Sequence, residues 1–339
     1  MIIATPDDDA VRAYASGVPL SDARDAGRLV PPPDPVVEPL GIVVTMDTGE
    51  RLHLLDWGGP AGPLPPLLLV HGLGGNAWTW TPVARRLCAL TRVLAIDLRG
   101  HGLSESPRDG YDADSQAYDL LTVMAAHGIG PDVGGPAAVL AGHGWGAQVV
   151  AWTARVQPAG VAGLALVDGG WEVLEEALRM DAAEFARGLG EPPEVMASMD
   201  AYLGDRRDWD PASWDADQEQ AARAAVDEKY AGQVVPVVRP HAQAATVAAM
   251  FAYRPEAALM DAAMPLLVMV AEPGGADDES LRERRLALDE LIAARADRGH
   301  PPARIVRFAG VAHNLMRYRP DEVSAELLEL LVVAGEDAA

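Results

Sequence analysis

The chain is poor in cysteine and in lysine. One of its 339 residues is cysteine, Cys88, and it lies in an apolar stretch. A disulfide within the chain is therefore excluded, and we expect a buried thiol. Lys229 is the single lysine, so 26 of the 27 basic residues are arginine. We interpret this bias as genomic composition and not as a binding signal.

Basic residues are also scarce beside acidic ones. The 50 acidic residues give a formal net charge of −23. Such a surface repels phosphate backbones and anionic lipid head groups, so we expect neither a nucleic acid nor a membrane partner. Residues 1–40 carry an acidic run and a proline run but no long apolar stretch after basic residues. We expect no signal peptide, no membrane span and a soluble cytoplasmic protein.

Short apolar runs indicate a mostly parallel sheet. Hydrophobic residues make up 49% of the chain, which is typical of a globular protein. Each run is continuous and not alternating, as in strands buried on both faces. Residues 41–46 and 51–57 flank a short loop with glycine and predict a hairpin. The continuous runs are residues 66–70, 92–96, 137–141, 163–167, 266–270 and 304–308.

A long stretch with helical patterns interrupts the series of predicted strands. Residues 171–255 have mostly helical patterns, and the nearest strand-like run, 234–238, contains Pro236. The sequence therefore predicts a doubly wound, mostly parallel, eight-stranded α/β sheet with a helical insertion. We assign residues 1–40 to an N-terminal extension, 41–170 and 256–339 to the core, and 171–255 to a cap.

Glycine- and histidine-rich motifs follow four of the predicted strands. They occupy residues 71–75 (HGLGG), 97–104 (DLRGHGLS), 142–147 (GHGWGA) and 310–314 (GVAHN). Open α/β sheets place their sites at the carboxyl ends of strands. The four motifs therefore predict a single site at one edge of the sheet.

These motifs, in this order, resemble the α/β-hydrolase superfamily over about residues 42–335, with the insertion in place of the cap domain. That family presents a Ser, Asp or Cys nucleophile on a sharp Gly-x-nucleophile-x-Gly turn. Gly142 and Gly146 match the flanking glycines, where a Cβ would collide with neighbouring backbone. The nucleophile position is Gly144, which excludes a covalent intermediate there. Glycine adopts the positive φ of this turn at little cost, so we expect an intact fold.

The resemblance also implies roles for other residues. His313 matches the catalytic histidine, which activates the nucleophile or a water. The backbone N–H groups of Leu73 and Trp145 would form the oxyanion hole, and His71 and Gly72 would shape its loop.

The acid that orients His313 has more than one candidate. The family's usual Gly-x-x-Asp spacing does not match cleanly within residues 271–278. Glu272 lies near a strand end, and Asp168 lies at an alternative position for the acid in this fold. We rank these two level, with Asp277 behind because it needs a longer loop.

The remaining histidines indicate no metal site. No cluster has metal-ligand spacing and no glycine-rich loop suits a dinucleotide, so we expect no cofactor. We interpret His143 as packing under the turn, and Asp97 as structural. The other four are expected on the surface or satisfied in the core: His53, His127, His241 and His300.

Two hydrolase subfamilies remain possible parents. Residues 142–147, followed by Ala151 and Trp152, resemble the corresponding motif of epoxide hydrolases and haloalkane dehalogenases. Those enzymes carry Asp at the turn. Epoxide hydrolases also use cap tyrosines, here Tyr202, Tyr230 and Tyr253. The motifs at residues 71–74 and 167–171 resemble serine esterases and lactonases, which we favour.

Three functional hypotheses follow. The first is a hydrolase of an ester, lactone or epoxide that is inactivated at Gly144. The second is a lyase, cyclase, isomerase or hydrating enzyme that works without a covalent intermediate and uses His313 as general base, and the third is a ligand-binding protein without catalysis. In each case we expect a mostly apolar small molecule in a pocket under the cap. The sequence does not indicate an oligomeric state.

Overall fold

The computed structural model describes residues 30–33, 36–189, 198–230, 232–274 and 279–336. Most of the predicted extension and Asp277 lie outside these ranges. Within them, no helix is both long and apolar enough to cross a membrane.

Eight strands form one sheet, as predicted. The strand bounds are β1 Leu40–Thr45, β2 Arg51–Asp56, β3 Leu67–Val70, β4 Val93–Ile96, β5 Ala138–His143, β6 Val161–Val167, β7 Val226–Tyr230, β8 Gln233–Pro236, β9 Leu266–Glu272 and β10 Arg304–Ala309. The order in the sheet is β1-β2-β4-β3-β5-β6-β9-β10. The β1–β2 and β2–β4 pairs are antiparallel, and the other neighbouring pairs are parallel.

Helices cover both faces of this sheet. On β3, Leu68 and Val70 face one hydrophobic core while Leu67 and Leu69 face the other. Every residue of the strand is thus buried, which explains the continuous apolar runs. The α-helices are α1 Thr81–Leu87, α2 Ala113–Ala126, α3 Trp145–Val156, α4 Leu174–Leu178, α5 Ala182–Leu189, α6 Met199–Trp209, α7 Ala216–Arg223, α8 Pro240–Ala252, α9 Pro255–Leu259, α10 Glu279–Asp297, α11 Leu315–Tyr318 and α12 Pro320–Glu336.

The segment between β6 and β9 differs from its prediction. Besides helices α4 to α9 it contains an antiparallel hairpin of β7 and β8. Pro236 ends β8 opposite Val226, at an edge position where a missing N–H is tolerated. The division of the chain into extension, core and cap stays a prediction.

Strand register brings the sequence motifs together. Val70 lies opposite Gly142, and His143 lies opposite Val167, which is itself opposite Met269. The carboxyl ends of β3, β5, β6 and β9 therefore meet at one edge, and the loops that follow them surround a common space.

Candidate active site

The turn between β5 and α3 has the backbone of a nucleophile elbow. Gly144 has φ 53° and ψ −114°, the positive φ that was predicted. A Cβ on Gly142 would overlap the carbonyl of Gly146, and one on Gly146 would lie 2.5 Å from the His71 carbonyl oxygen. The predicted need for both flanking glycines is confirmed.

A histidine–aspartate pair lies beside this turn. Nδ1 of His313, in the loop after β10, is 2.6 Å from Oδ2 of Asp168. Asp168 follows β6 and has φ 50°, a conformation that costs a non-glycine residue about 1–3 kcal/mol. Its side chain is buried, and its Oδ1 accepts a hydrogen bond from the Ala271 N–H at 3.0 Å.

The surroundings of Asp168 favour its charged form. Burial raises the pKa of Asp168, but the hydrogen bond from His313 and the charge of Arg284 together lower it below its usual value. The carboxylate accepts, so Nδ1 of His313 carries the proton and Nε2 is free to act as a base. A Cβ built on Gly144 would lie 3.0 Å from that Nε2. The free nitrogen thus faces the turn.

Glu272, the other level candidate for the acid, points elsewhere. It ends β9, and its Oε1 lies 3.0 Å from an Arg285 nitrogen and 3.2 Å from an Arg307 nitrogen. These two cations hold the Glu272 carboxylate away from His313. The geometry therefore favours Asp168 as the partner of the histidine.

The loop after β3 is fixed by a buried histidine. Nδ1–H of His71 donates to the Gly72 carbonyl at 2.7 Å, and its Nε2 accepts from the Leu98 N–H at 3.0 Å. Burial lowers the pKa of His71, so the ring is neutral and can make both bonds. The loop brings Leu73 to the cavity beside the turn.

The second expected oxyanion donor is the first residue of α3. The first N–H groups of a helix have no partner inside it and point out of its N-terminus. The N–H of Trp145 is such a group, and Trp145 also borders the cavity. An oxyanion hole formed by Leu73 and Trp145 stays a prediction.

A second imidazole lies against His313. Nε2–H of His143 donates to the His313 carbonyl oxygen at 3.0 Å, and the two ring centroids are 4.3 Å apart. Burial, helped by the neighbouring His313, lowers the pKa of His143 to about 3. His143 is therefore neutral near pH 7, and it borders the two cavities on either side of the loop after β3.

Sequence reasoning missed a partly buried arginine beside the pair. A nitrogen of Arg284, on α10, lies 2.9 Å from Asp168 Oδ1, and another lies 3.1 Å from Glu172 Oε1. The guanidinium stacks over Trp171 with 4.9 Å to the ring centroid. Arg284 lies more than 100 residues from either carboxylate along the chain, so no local pattern could have paired them.

Two cavities adjoin the site. The larger, about 570 Å³, has Gly144, His313 and Asp168 in its floor. The smaller, about 290 Å³, lies on the other side of the loop after β3, under α6 and α7. Both are bordered by Gly72, Leu73, His143 and Asn314. Besides Leu73 and Trp145, the larger cavity is bordered by the apolar residues Leu174, Leu178, Phe185, Leu189, Met250 and Leu281.

Two of the three tyrosines expected from epoxide hydrolases, Tyr202 and Tyr253, do not border the larger cavity. The hydroxyl of Tyr253 donates to the Gly170 carbonyl at 2.9 Å, and Tyr202 borders the smaller cavity. Nothing is described for the side chain of Tyr230. No tyrosine is among the described residues that border the larger cavity.

Other predicted residues take structural positions. Asp97 is buried, accepts from the Ala77 and Leu103 N–H groups, and pairs with Nδ1 of His53 at 2.8 Å. Cys88 is buried. In the described part of the chain, no three His, Cys, Asp or Glu side chains are grouped as a metal site would require.

The family of this chain follows from comparison with known proteins. The model of the alpha/beta hydrolase family matches residues 67–326, which is most of the chain. The chain belongs to that family, in agreement with its fold and with the motifs at the strand ends.

Curated relatives include several hydrolases. The chain is 32% identical over 147 residues to 2-(acetamidomethylene)succinate hydrolase of Mesorhizobium japonicum, covering 43% of this chain and 49% of that protein. It is 32% identical over 143 residues to epoxide hydrolase 4 of Mus musculus, covering 41% and 37%. The aligned part is about half or less of each relative.

Solved structures support the fold over greater lengths. The crystal structure of E-2-(acetamidomethylene)succinate hydrolase aligns with a TM-score of 0.70 at 22% identity, covering 86% of this chain and 99% of that one. The enol-lactonase from Burkholderia xenovorans aligns with a TM-score of 0.58 at 20% identity, covering 86% and 99%.

Proposed function

We propose that this protein hydrolyses an ester or lactone with a mostly apolar acyl part, by direct attack of water and without a covalent enzyme intermediate. The observation that carries this proposal is the position of His313. Its free Nε2 faces an elbow that lacks a side chain, at 3.0 Å from the place of a Cβ. A water bound to Nε2 at this point stands where the family's nucleophile would otherwise reach the substrate.

The reaction needs the groups already described. Nε2 of His313 takes a proton from the water while the water oxygen bonds to the carbonyl carbon. The carbonyl oxygen becomes an oxyanion, which the N–H groups of Leu73 and Trp145 stabilise. When the intermediate collapses, the bond from carbon to the leaving oxygen breaks and His313 returns its proton to that oxygen.

The charges around His313 support proton uptake. Asp168, Glu172 and Arg284 together carry one negative charge, and the positive charge that His313 gains during the reaction neutralises it. Asp168 also fixes the imidazole in the tautomer that leaves Nε2 free. The pair is thus arranged to stabilise an imidazolium although position 144 of the elbow has no nucleophilic side chain.

The cavity favours a carbonyl substrate over an epoxide. Opening an epoxide leaves an alkoxide that needs a proton donor, and no tyrosine is among the described residues of the larger cavity. An ester or lactone oxyanion needs only backbone donors. The apolar walls supplied by α4, α5 and α8 suit an apolar acyl chain.

The experiment is a screen of p-nitrophenyl esters and aryl lactones with wild-type protein and two variants. We expect His313→Ala to lower kcat/KM by about 10²–10⁴-fold, since that is the usual contribution of a general base. His300→Ala, outside the site, is the control and should match wild type. Equal turnover by wild type and His313→Ala would refute the mechanism.

The mass of the enzyme during turnover separates direct attack from covalent catalysis. Protein quenched during turnover should keep its unmodified mass. Reaction in H₂¹⁸O should place one labelled oxygen in the acid product, which shows that the bond between the acyl carbon and the leaving oxygen is the one that breaks. An acyl adduct on the wild-type chain contradicts the proposal. If ligands bind but no ester or lactone is turned over, the chain is a binding protein, and the proposal fails.

A further inference from the structure

The two cavities differ in the charges that border them. Among the described residues around the smaller cavity the charged side chains are Arg206 and Arg317. Around the larger cavity, besides His313, they are Asp168, Glu172 and Arg284, whose formal charges sum to one negative charge. An anionic group is therefore favoured on one side of the oxyanion loop and disfavoured on the other.

The two arginines of the smaller cavity differ in whether a nearby acidic side chain compensates their charge. Nε of Arg317 donates to Ser213 Oγ at 2.6 Å, and its Nη2 lies 3.6 Å from Asp210 Oδ2, so its charge is already compensated. Arg206 lies over the ring of Tyr202, with 5.3 Å from its guanidinium carbon to the ring centroid. Within the described ranges no carboxylate lies at ion-pairing distance from Arg206. Its charge is available to a ligand.

Aromatic side chains line the same space. Tyr202, Trp209 and Trp214 border the smaller cavity, whose volume is about 290 Å³. A cavity of about 150 Å³ is enough to hold a benzene molecule. The smaller cavity therefore has room for one ring with a substituent, and aromatic walls favour a flat group.

We propose that the smaller cavity is a subsite for an aromatic group that carries a carboxylate, held by Arg206. This subsite rests on the proposed function and adds a second part to the substrate. The apolar acyl part lies in the larger cavity and the aryl carboxylate in the smaller one. The scissile carbonyl lies between them, at the loop of Gly72 and Leu73. Arg206 selects the anion through a charge-assisted hydrogen bond.

The test measures binding and not turnover, so its result is independent of the hydrolysis reaction. Benzoate and its neutral isostere benzamide are titrated calorimetrically into wild-type protein, Arg206→Met and Arg207→Met. Arg207 is the next residue on α6 and does not border either cavity, which makes it a matched control. Circular dichroism verifies that each variant is folded.

We expect wild type to bind benzoate more tightly than benzamide. Arg206→Met should weaken benzoate binding about tenfold or more and change benzamide binding less than twofold, whereas Arg207→Met should change neither. The inference is overturned if benzoate does not bind, if benzamide binds equally well, or if the two variants are affected alike. Loss of benzoate in Arg206→Met without any esterase activity supports the subsite while the hydrolase proposal fails.

Discussion

The backbone carbonyl of His313 accepts a hydrogen bond from the ring of His143 at 3.0 Å. The residue before the elbow therefore holds the loop that carries the proposed base. Because the pKa of His143 is about 3, the ring stays neutral and the bond persists through the physiological range. His143 is a positioning residue, since it acts on the substrate through His313.

Replacing His143 should move the base without removing it. We expect His143→Phe to lower kcat about tenfold, because one hydrogen bond of about 1 kcal/mol no longer fixes the His313 loop. His143→Gln, whose amide can donate to the same carbonyl, should recover most of the rate. The measurement is kcat and KM for each variant on the best ester. Equal loss in both variants would show that only the ring packing matters.

Restoring a side chain at the elbow should change both stability and chemistry. Gly144→Ser places a Cβ at positive φ and 3.0 Å from His313 Nε2, so we expect a loss of about 1–3 kcal/mol in the free energy of unfolding. The variant should also form an acyl-enzyme visible by mass spectrometry. Gly188→Ser is the control, because nothing lies within 4 Å of a Cβ there. Gly144→Ser with wild-type stability and no adduct would refute this expectation.

Removing Arg284 should leave two buried carboxylates without the cation that compensates their charges. Arg284→Met leaves Asp168 and Glu172 without their shared cation, so we expect a loss of about 3–5 kcal/mol in unfolding free energy. The pKa of Asp168 should rise as well, because the charge of Arg284 helps to lower it. Urea denaturation measures the first effect, and the pH profile of activity measures the second.

The control for Arg284 is a double substitution. Arg284→Met with Glu172→Gln removes one of the two uncompensated carboxylates, and we expect it to recover part of the lost stability. No recovery would mean that packing of Arg284 on Trp171, at 4.9 Å, dominates its contribution.

Acid should destabilise the fold before its carboxylates titrate. Burial lowers the folded-state pKa of both His101 and His143 to about 3, from 6.5. Between these values the unfolded chain binds more protons than the folded one. Stability is therefore complete above about pH 6.5 and decreases as the pH falls toward 3, by about 1.4 kcal/mol per pH unit for each histidine.

Urea denaturation at several pH values between 7.5 and 4 tests this slope. We expect His143→Gln to give a shallower slope than wild type, since one of the buried histidines is gone, while His71 and His101, whose pKa values burial also lowers, still contribute. Asp97 and Asp168, whose folded pKa values are also lowered, add their own loss only as the pH falls below about 4. A stability that is flat from pH 6.5 to 4 would contradict the assignment of neutral buried rings.

Much of this fold could be predicted because its signals are local. The strands around Leu68 and Leu94 are buried on both faces, so their apolar runs are continuous and easily read. The hairpin of β7 and β8 was missed because it is short, exposed in part and ended by Pro236. Two short strands that pair only with each other leave little periodic pattern.

The sequence could predict the site residues that closely follow a strand, because their positions depend on the sheet alone. His313 and Gly144 follow strands, and each came from its own motif. The choice between Asp168 and Glu272 depended on which carboxylate reaches Nδ1 of His313, and the structure shows that Asp168 does. His313 and Asp168 lie 145 residues apart in the chain, so the folded structure was needed to pair them.

The elbow at Gly144 has a consequence for how this chain relates to its family. The turn keeps its positive φ without a side chain, and α3 begins at Trp145 directly after it. The backbone of the elbow and the group that reacts are therefore separate features of the sequence. On the proposed mechanism, one substitution at position 144 would introduce acyl-enzyme or alkyl-enzyme chemistry while the sheet keeps its fold.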